Sequence, residues 1–247
     1  MELLVLGTGD AFSALYYSSC VALRAEGAWL LIDCPHPIRK ILRESGGAAG
    51  LSLDVSDLAG VALTHLHADH ASGLEGLGYF AQFVLKRPMP LLAHPDVTSR
   101  LWDGHLAAGM EQLLPSVGAP KRPMSLPDYF EIVALSTESP VTLGPFTIEC
   151  RHTVHHIPTT AFRIRAGDRC LGYSADTAFD PDLIAWLSEA DLVVHETNYG
   201  VHTPYADLAG LPEALRARMR LIHYPDDFDR ETSVIQTLRQ GEIVEIE

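Results

Sequence analysis

The segment THLHADH, residues 64–70, constrains this chain more than any other feature, because it gathers polar groups that are costly to bury. It follows the apolar run VAL at 61–63, which is typical of a buried strand. Unpaired buried polar groups cost roughly 1–3 kcal/mol each, whereas imidazoles and carboxylates are common ligands of zinc and iron. The H-x-H-x-D-H spacing therefore predicts a metal site in a loop between that strand and a helix starting near Ser72. The candidate ligands are His65, His67, Asp69 and His70.

Short apolar runs rich in Val, Ile and Leu alternate with segments of helical periodicity. We predict strands at 3–6, 29–32, 61–63, 146–150, 161–164, 192–194 and 220–222. We predict helices at 36–45, 73–87, 96–114, 181–189 and 230–239. The fold class is therefore α/β, with helices covering sheets, and a hydrophobic content of 47% supplies a sizeable core.

A proline-rich stretch, PSVGAPKRPMSLP at 115–127, marks the only candidate linker. Strand-like segments with further candidate ligands resume after it, so a loop or lid fits better than a domain boundary. We predict one domain over 1–247, with 96–127 as a candidate lid or dimerisation segment. A homodimer is the commonest arrangement for soluble oligomers.

Charge and hydropathy exclude several classes of partner. The net charge of −14 argues against broad nucleic-acid binding, which needs clustered Lys and Arg. Glu2 and the absence of an early basic region argue against a signal peptide. The sequence contains no run of eighteen apolar residues, so we do not expect a membrane-spanning helix. Four scattered cysteines form no C-x-x-C motif and indicate reduced thiols in a cytoplasmic protein. They are Cys20, Cys34, Cys150 and Cys170.

Several motifs together resemble one protein superfamily. HLHADH looks like the H-x-H-x-D-H motif of the metallo-β-lactamase fold, and LGTGDAF at 6–12 and LLIDC at 30–34 resemble its opening strands. RHTVHHIPTTAFRI at 151–164 and YSADTAF at 173–179 are similar to the ribonuclease Z and cyclic-phosphate phosphodiesterase branch. The resemblance covers residue 3 to about 226 and implies a four-layer αββα sandwich.

The resemblance implies further ligands downstream. Aligning on Pro158 selects His155 rather than His152 or His156 as the third histidine. The YSADT turn makes Asp176 the residue between two metals, although Ala175 stands where the family has glycine. Metal one would be held by His65, His67 and His155, and metal two by Asp69, His70 and His223. Asp33 would brace the metal loop from behind the ligands.

Two divalent ions are the implied cofactors, with zinc the default and manganese, iron or nickel fitting the same ligands. A hydroxide shared between them would act as nucleophile, since metals lower the pKa of water from about 15.7 toward about 7. HETNYGVHT at 195–203 resembles segments in which a Glu–His pair donates a proton to the leaving oxygen, although Glu196 is equally suited to a cap or an ion pair. The candidate catalytic residues are Asp69, Glu196 and His202.

We therefore predict a metal-dependent hydrolase, a phosphodiesterase acting on a small or cyclic phosphodiester. Between 155 and 176 the chain has room for a strand, a turn and a strand but not for the long arm with which ribonuclease Z holds tRNA, so tRNA is not expected as a partner. A lactonase or thioesterase using the same two metals is the alternative. An iron-dependent oxidoreductase is more remote, because no flavin-binding segment follows 226.

Overall fold

The computed structural model describes residues 1–247 and contains two seven-stranded sheets. The first sheet has the strand order β16-β1-β2-β3-β4-β5-β8. Its strands are β1 (Glu2–Gly7), β2 (Cys20–Ala25), β3 (Ala28–Ile32), β4 (Leu58–Ala62), β5 (Met89–Ala93), β8 (Phe130–Ala134) and β16 (Ile243–Glu245).

The second sheet has the order β15-β14-β13-β12-β11-β10-β9, and a separate hairpin pairs β6 with β7. The second-sheet strands are β9 (Val141–Leu143), β10 (Phe146–His152), β11 (Thr160–Ala166), β12 (Arg169–Tyr173), β13 (Leu192–Glu196), β14 (Met219–Ile222) and β15 (Gln236–Thr237). The hairpin strands are β6 (Gln112–Leu113) and β7 (Arg122–Pro123).

The helices are short, and none is long and apolar enough to cross a membrane. The α-helices are α1 (Ile38–Ala48), α2 (Ala68–Ala71), α3 (Leu74–Phe80), α4 (Pro95–Thr98), α5 (Ala107–Met110), α6 (Pro181–Leu187), α7 (Tyr205–Ala209) and α8 (Glu213–Arg216). Single π-helical turns span Ala81–Leu85 and Trp102–Leu106, and 3₁₀ turns span Val55–Asp57 and Leu126–Asp128.

The sheets face each other across a central core, because successive side chains of a strand point to opposite faces. In β1, Leu3 and Val5 pack between the two sheets, whereas Leu4 and Leu6 pack under α1 and α3. On the far side, helices α6 and α7 cover the outer face of the second sheet. Helix, sheet, sheet and helix thus form four layers, which confirms the predicted αββα sandwich.

The topology brings the carboxyl ends of several strands to one edge. β3, β4, β5 and β8 run parallel to one another, as do β12, β13 and β14. Strand β10 runs in the same direction as β12, because both are antiparallel to β11. The segments that follow these strands therefore meet at one end of the sandwich, where α/β folds commonly place their sites.

The predicted strands are all present, and most predicted helices are present with shifted ends. The segment 96–114 is broken into α4, a π-helical turn and α5, with glycines at 104 and 109. The helix expected over 230–239 is wrong, because this segment is irregular apart from β15. Side chains in and next to this segment bond to its backbone groups in place of a helical ladder. Asp229 accepts from the Thr232 N–H and hydroxyl, and the Ser233 hydroxyl donates to the Ile235 carbonyl.

Segment 96–127 contributes to the first helical layer. Its side chains Val97, Leu101 and Met110 are buried in the same cluster as α1 and α3, and the β6–β7 connection exposes Leu114 and Val117. Its assignment as a lid or dimer face, and the single-domain assignment over 1–247, stay predictions.

Phe162 on β11 is fully buried between the two sheets. We expect Phe162→Ala to lower the free energy of unfolding by about 3–5 kcal/mol, since the cavity cannot close fully between two rigid sheets. Chemical denaturation measures this loss. Phe12→Ala is the matched control, because Phe12 is 91% exposed and its removal changes stability by no more than about 0.5 kcal/mol. Equal losses in both variants would contradict the central position of Phe162.

Candidate metal centre

All seven predicted ligands lie together at the edge where the strands end. His65 and His67 follow β4, and helix α2 begins at Ala68, earlier than the predicted start near Ser72. Asp69 and His70 are therefore on a helical turn rather than in a loop. The second sheet supplies the other ligands from the segments after β10, β12 and β14, which carry His155, Asp176 and His223.

The first cluster consists of His65, His67, His155 and Asp176. His67 Nδ1 lies 3.1 Å from His65 Nε2 and 3.0 Å from His155 Nε2. Asp176 Oδ2 lies 3.7 Å from His65 Nε2 and 3.6 Å from His155 Nε2. Zinc–nitrogen bonds of about 2.0–2.1 Å place neighbouring tetrahedral ligands roughly 3.3–3.4 Å apart. The observed spacings bracket that value, so the cluster fits one metal ion.

The second cluster consists of Asp69, His70, His223 and Asp176. Asp69 Oδ2 lies 3.2 Å from the Nε2 atoms of both His70 and His223. Asp176 Oδ1 is 3.3 Å from His70 Nε2, and its Oδ2 is 3.6 Å from His223 Nε2. Asp176 therefore belongs to both clusters, as expected for a carboxylate between two metals.

Burial and an unpartnered nitrogen make the second cluster suited to a cation. His70 Nε2 is buried and has no hydrogen-bond partner within the chain. Burial opposes a charge on His223, but Asp176 and hydrogen bonds to Asp69 and Glu196 outweigh it and raise the pKa of His223 to about 10. The carboxylates thus favour positive charge at the imidazoles, and a bound divalent ion would supply such charge.

The surroundings of the first cluster favour neutral histidines. Burial lowers the pKa of His65 and of His67, and burial followed by nearby charges lowers the pKa of His155 to about 4. A neutral imidazole offers the lone pair that a metal requires. The lowered pKa values therefore favour metal binding by this cluster.

Asp33 is hydrogen-bonded to the segment that carries the candidate ligands. Its carboxylate accepts from the Thr64 N–H and hydroxyl at 2.9 Å, and His70 Nδ1 lies 2.8 Å from it. The Thr64 hydroxyl is also 2.9 Å from His65 Nδ1. These contacts occupy the Nδ1 atoms of both histidines and leave each Nε2 facing the metal position. Burial raises the pKa of Asp33, which the interactions with His70 and Thr64 partly offset.

Three residues of the centre have left-handed backbone conformations. Ala175 has φ +52°, Asp33 has φ +63° and His223 has φ +59°. Ala175 thus keeps the turn for which the resembled family has glycine. Such conformations cost about 1–2 kcal/mol for a residue with a Cβ, and they are typical of functional sites held by their surroundings.

Glu196 and His202 form the pair that the sequence indicates. His202 Nδ1 lies 2.9 Å from Glu196 Oε1, which also accepts from the Thr177 N–H at 2.7 Å. Burial opposes a charge on His202, but the hydrogen bond and charge of Glu196 outweigh it and raise the pKa of His202. His202 Nδ1 is 3.9 Å from Asp176 Oδ2, which places the imidazole at the metal centre.

A cavity of about 550 Å³ opens over the two clusters. Phe12, His156 and His202 form part of its wall, and His156 belongs to neither ligand cluster. His152 lies away from the cavity, beside His94. The sequence does not predict that Phe12 lines the cavity or that Thr64 links Asp33 to His65. Neither residue type has a distinctive role in the motif that contains it.

The fold and this site define a metal-dependent hydrolase of the metallo-β-lactamase fold, as predicted. Human tRNase Z, short form, shares the fold with a TM-score of 0.70 at 22% identity, covering all of both chains. A diphosphatase of the PhnP family gives a TM-score of 0.75 at 17% identity, covering 100% of this chain and 98% of that one.

The sequence profile described as "Anti-Pycsar protein Apyc1" matches residues 1–244. The Apyc1 of Bacillus phage 010DV004 is 33% identical over 259 residues, covering 98% of this chain and 96% of the relative. The chain belongs to the anti-Pycsar Apyc1 family. This membership confirms the prediction of a hydrolase in the phosphodiesterase branch of the fold.

Metal counting tests the choice of His155. We expect His155→Ala to lose the ion of the first cluster, because His155 Nε2 is 3.0 Å from His67 Nδ1. His156→Ala is the matched control and keeps both ions, since it contributes to neither cluster. Inductively coupled plasma mass spectrometry of both variants measures the loss. A normal metal count in His155→Ala with a loss in His156→Ala would show that the neighbouring histidine is the ligand.

Proposed function

We propose that this protein hydrolyses a cyclic nucleotide or a similarly small cyclic phosphodiester. The observation that carries the proposal is the position of the Glu196–His202 pair, which borders both ligand clusters at one cavity of about 550 Å³. This combination provides places for metals, a proton donor and a substrate of nucleotide size at one strand edge.

We propose zinc for both ions, held by the three histidines of the first cluster, by Asp69, His70 and His223, and by Asp176 between them. When bound, two such ions supply Lewis acidity and lower the pKa of water. Bound divalent ions would complement the negative charge of a phosphodiester.

His202 is the proposed general acid. Its Nδ1 is engaged by Glu196 Oε1, which orients the ring and stabilises its protonated form, so Nε2 is available to protonate the leaving oxygen. Glu196 in turn is fixed by the Thr177 N–H. The carboxylate of Asp69, 3.2 Å from both His70 and His223, positions the second set of ligands.

The rim of the cavity suits a nucleoside. Phe12 is 91% exposed at the cavity wall. Stacking of a nucleic-acid base on an exposed aromatic ring contributes about 1–3 kcal/mol of binding free energy per base. The His155–Asp176 connection is a plain β11–β12 hairpin, and with the net charge of −14 this supports a small substrate over tRNA. All four cysteines are free and buried, which supports a cytoplasmic location.

A substrate panel tests the proposed activity. Zinc-loaded protein is assayed on cyclic pyrimidine and purine nucleotides, a bis-aryl phosphodiester, a precursor tRNA, a lactone and a thioester. We expect turnover of cyclic nucleotides and the aryl diester, because their negative charge complements the centre. Chelator-treated protein is the control. Opening of the lactone or thioester without phosphodiester cleavage would instead establish the carboxylic hydrolase.

The role of His202 has its own test. We expect His202→Ala to keep two metals per chain but to lower kcat by about 10²–10⁴-fold, the usual contribution of a positioned acid. The loss shrinks for an aryl diester, whose leaving oxygen needs no proton. His36→Ala is the control, because His36 is exposed and belongs to no ligand cluster. An equal loss on both substrates would contradict a proton-donor role.

A further inference from the structure

A third group of metal-ligating side chains lies outside the two clusters of the metal centre. It consists of His94, Asp96 and His152. His94 follows β5 of the first sheet and precedes α4, where Asp96 lies in the first turn. His152 is the last residue of β10 in the second sheet. The group therefore joins residues from both halves of the sandwich, and nothing in the proposed hydrolysis uses it.

The spacing of the three side chains fits a metal better than hydrogen bonds. Asp96 Oδ2 lies 3.4 Å from His94 Nδ1 and 3.5 Å from His152 Nε2. Both distances exceed the 2.7–3.2 Å of ordinary nitrogen–oxygen hydrogen bonds, but they match the roughly 3.3–3.4 Å between tetrahedral zinc ligands. The two rings meet edge to face with centroids 4.5 Å apart, so their nitrogens converge on the carboxylate.

The three groups are available to a cation. No lysine or arginine forms an ion pair with Asp96, whose charged partners are the two histidines alone. The Asp96 N–H donates to His94 Nδ1 at 3.3 Å, a long bond that coordination would replace at little cost. Partial burial, with the facing His152, lowers the pKa of His94 and so favours the neutral imidazole that a metal needs. Asp96 and His152 are about half exposed, so water can reach a fourth position.

We propose that His94, Asp96 and His152 form a third zinc-binding site, which links the start of α4, after β5 of the first sheet, to the end of β10 in the second sheet. Two imidazoles, one carboxylate and water are an ordinary ligand set for zinc. Because its ligands come from segments far apart in sequence, binding stabilises the folded chain and not the unfolded one. The proposal is independent of the substrate and stands even if the hydrolytic activity proves different.

The test uses the full chain already loaded with two zinc ions. Isothermal titration calorimetry with Zn²⁺ is expected to show binding of one further equivalent of zinc per chain. A thermal scan with this added zinc is expected to show a higher Tm. His152→Ala and His94→Ala each remove a ligand from a different half, and each weakens this equivalent by at least about tenfold. Both variants keep the first two ions, because neither residue belongs to those clusters.

His36→Ala serves as the control for loss of an exposed histidine, and it keeps the third equivalent. Thermal scans of all variants without added zinc show that each one is folded. Two results overturn the proposal: the two-zinc protein takes up no further zinc, or His152→Ala binds the third equivalent as tightly as the unsubstituted chain.

Discussion

The structure depends on how positive charge stabilises the imidazoles and carboxylates that are buried together in the two ligand clusters. Asp176 is almost fully buried and faces histidines of both clusters, and His70 Nε2 has no partner within the chain. The facing carboxylates and imidazoles compensate one another in part, and a bound cation would also satisfy the His70 nitrogen. The hydrophobic layers therefore pack up to an edge whose polar groups are suited to holding metal.

The supporting contacts explain how mobile side chains hold a fixed geometry. Asp33 and Thr64 secure the Nδ1 atoms of His65 and His70, and Glu196 connects the Thr177 backbone to His202. Gly73 lets the loop after Asp33 pack against helix α2, since a Cβ there would meet the Pro35 carbonyl at 2.5 Å. Rigid strands thus fix the backbone, and buried hydrogen bonds fix the rings.

The sequence predicted what depends on local spacing. His65, His67, Asp69 and His70 were found because they lie within one short segment, and the strands because apolar runs mark them. Alignment on Pro158 selects His155 over His152 and His156, and the structure places His155 in the first cluster. The His94–Asp96–His152 group joins distant segments and has no sequence pattern. The wrong helix at 230–239 shows that periodicity alone overlooks side chains that compete for backbone hydrogen bonds.

The division of ligands between the two sheets affects how the centre assembles. His65, His67, Asp69 and His70 emerge early from the ribosome, whereas Asp176 and His223 emerge late. The first cluster can close once β12 is made, but the second must wait for β14. The ligand set of the second cluster is therefore completed later in synthesis than that of the first.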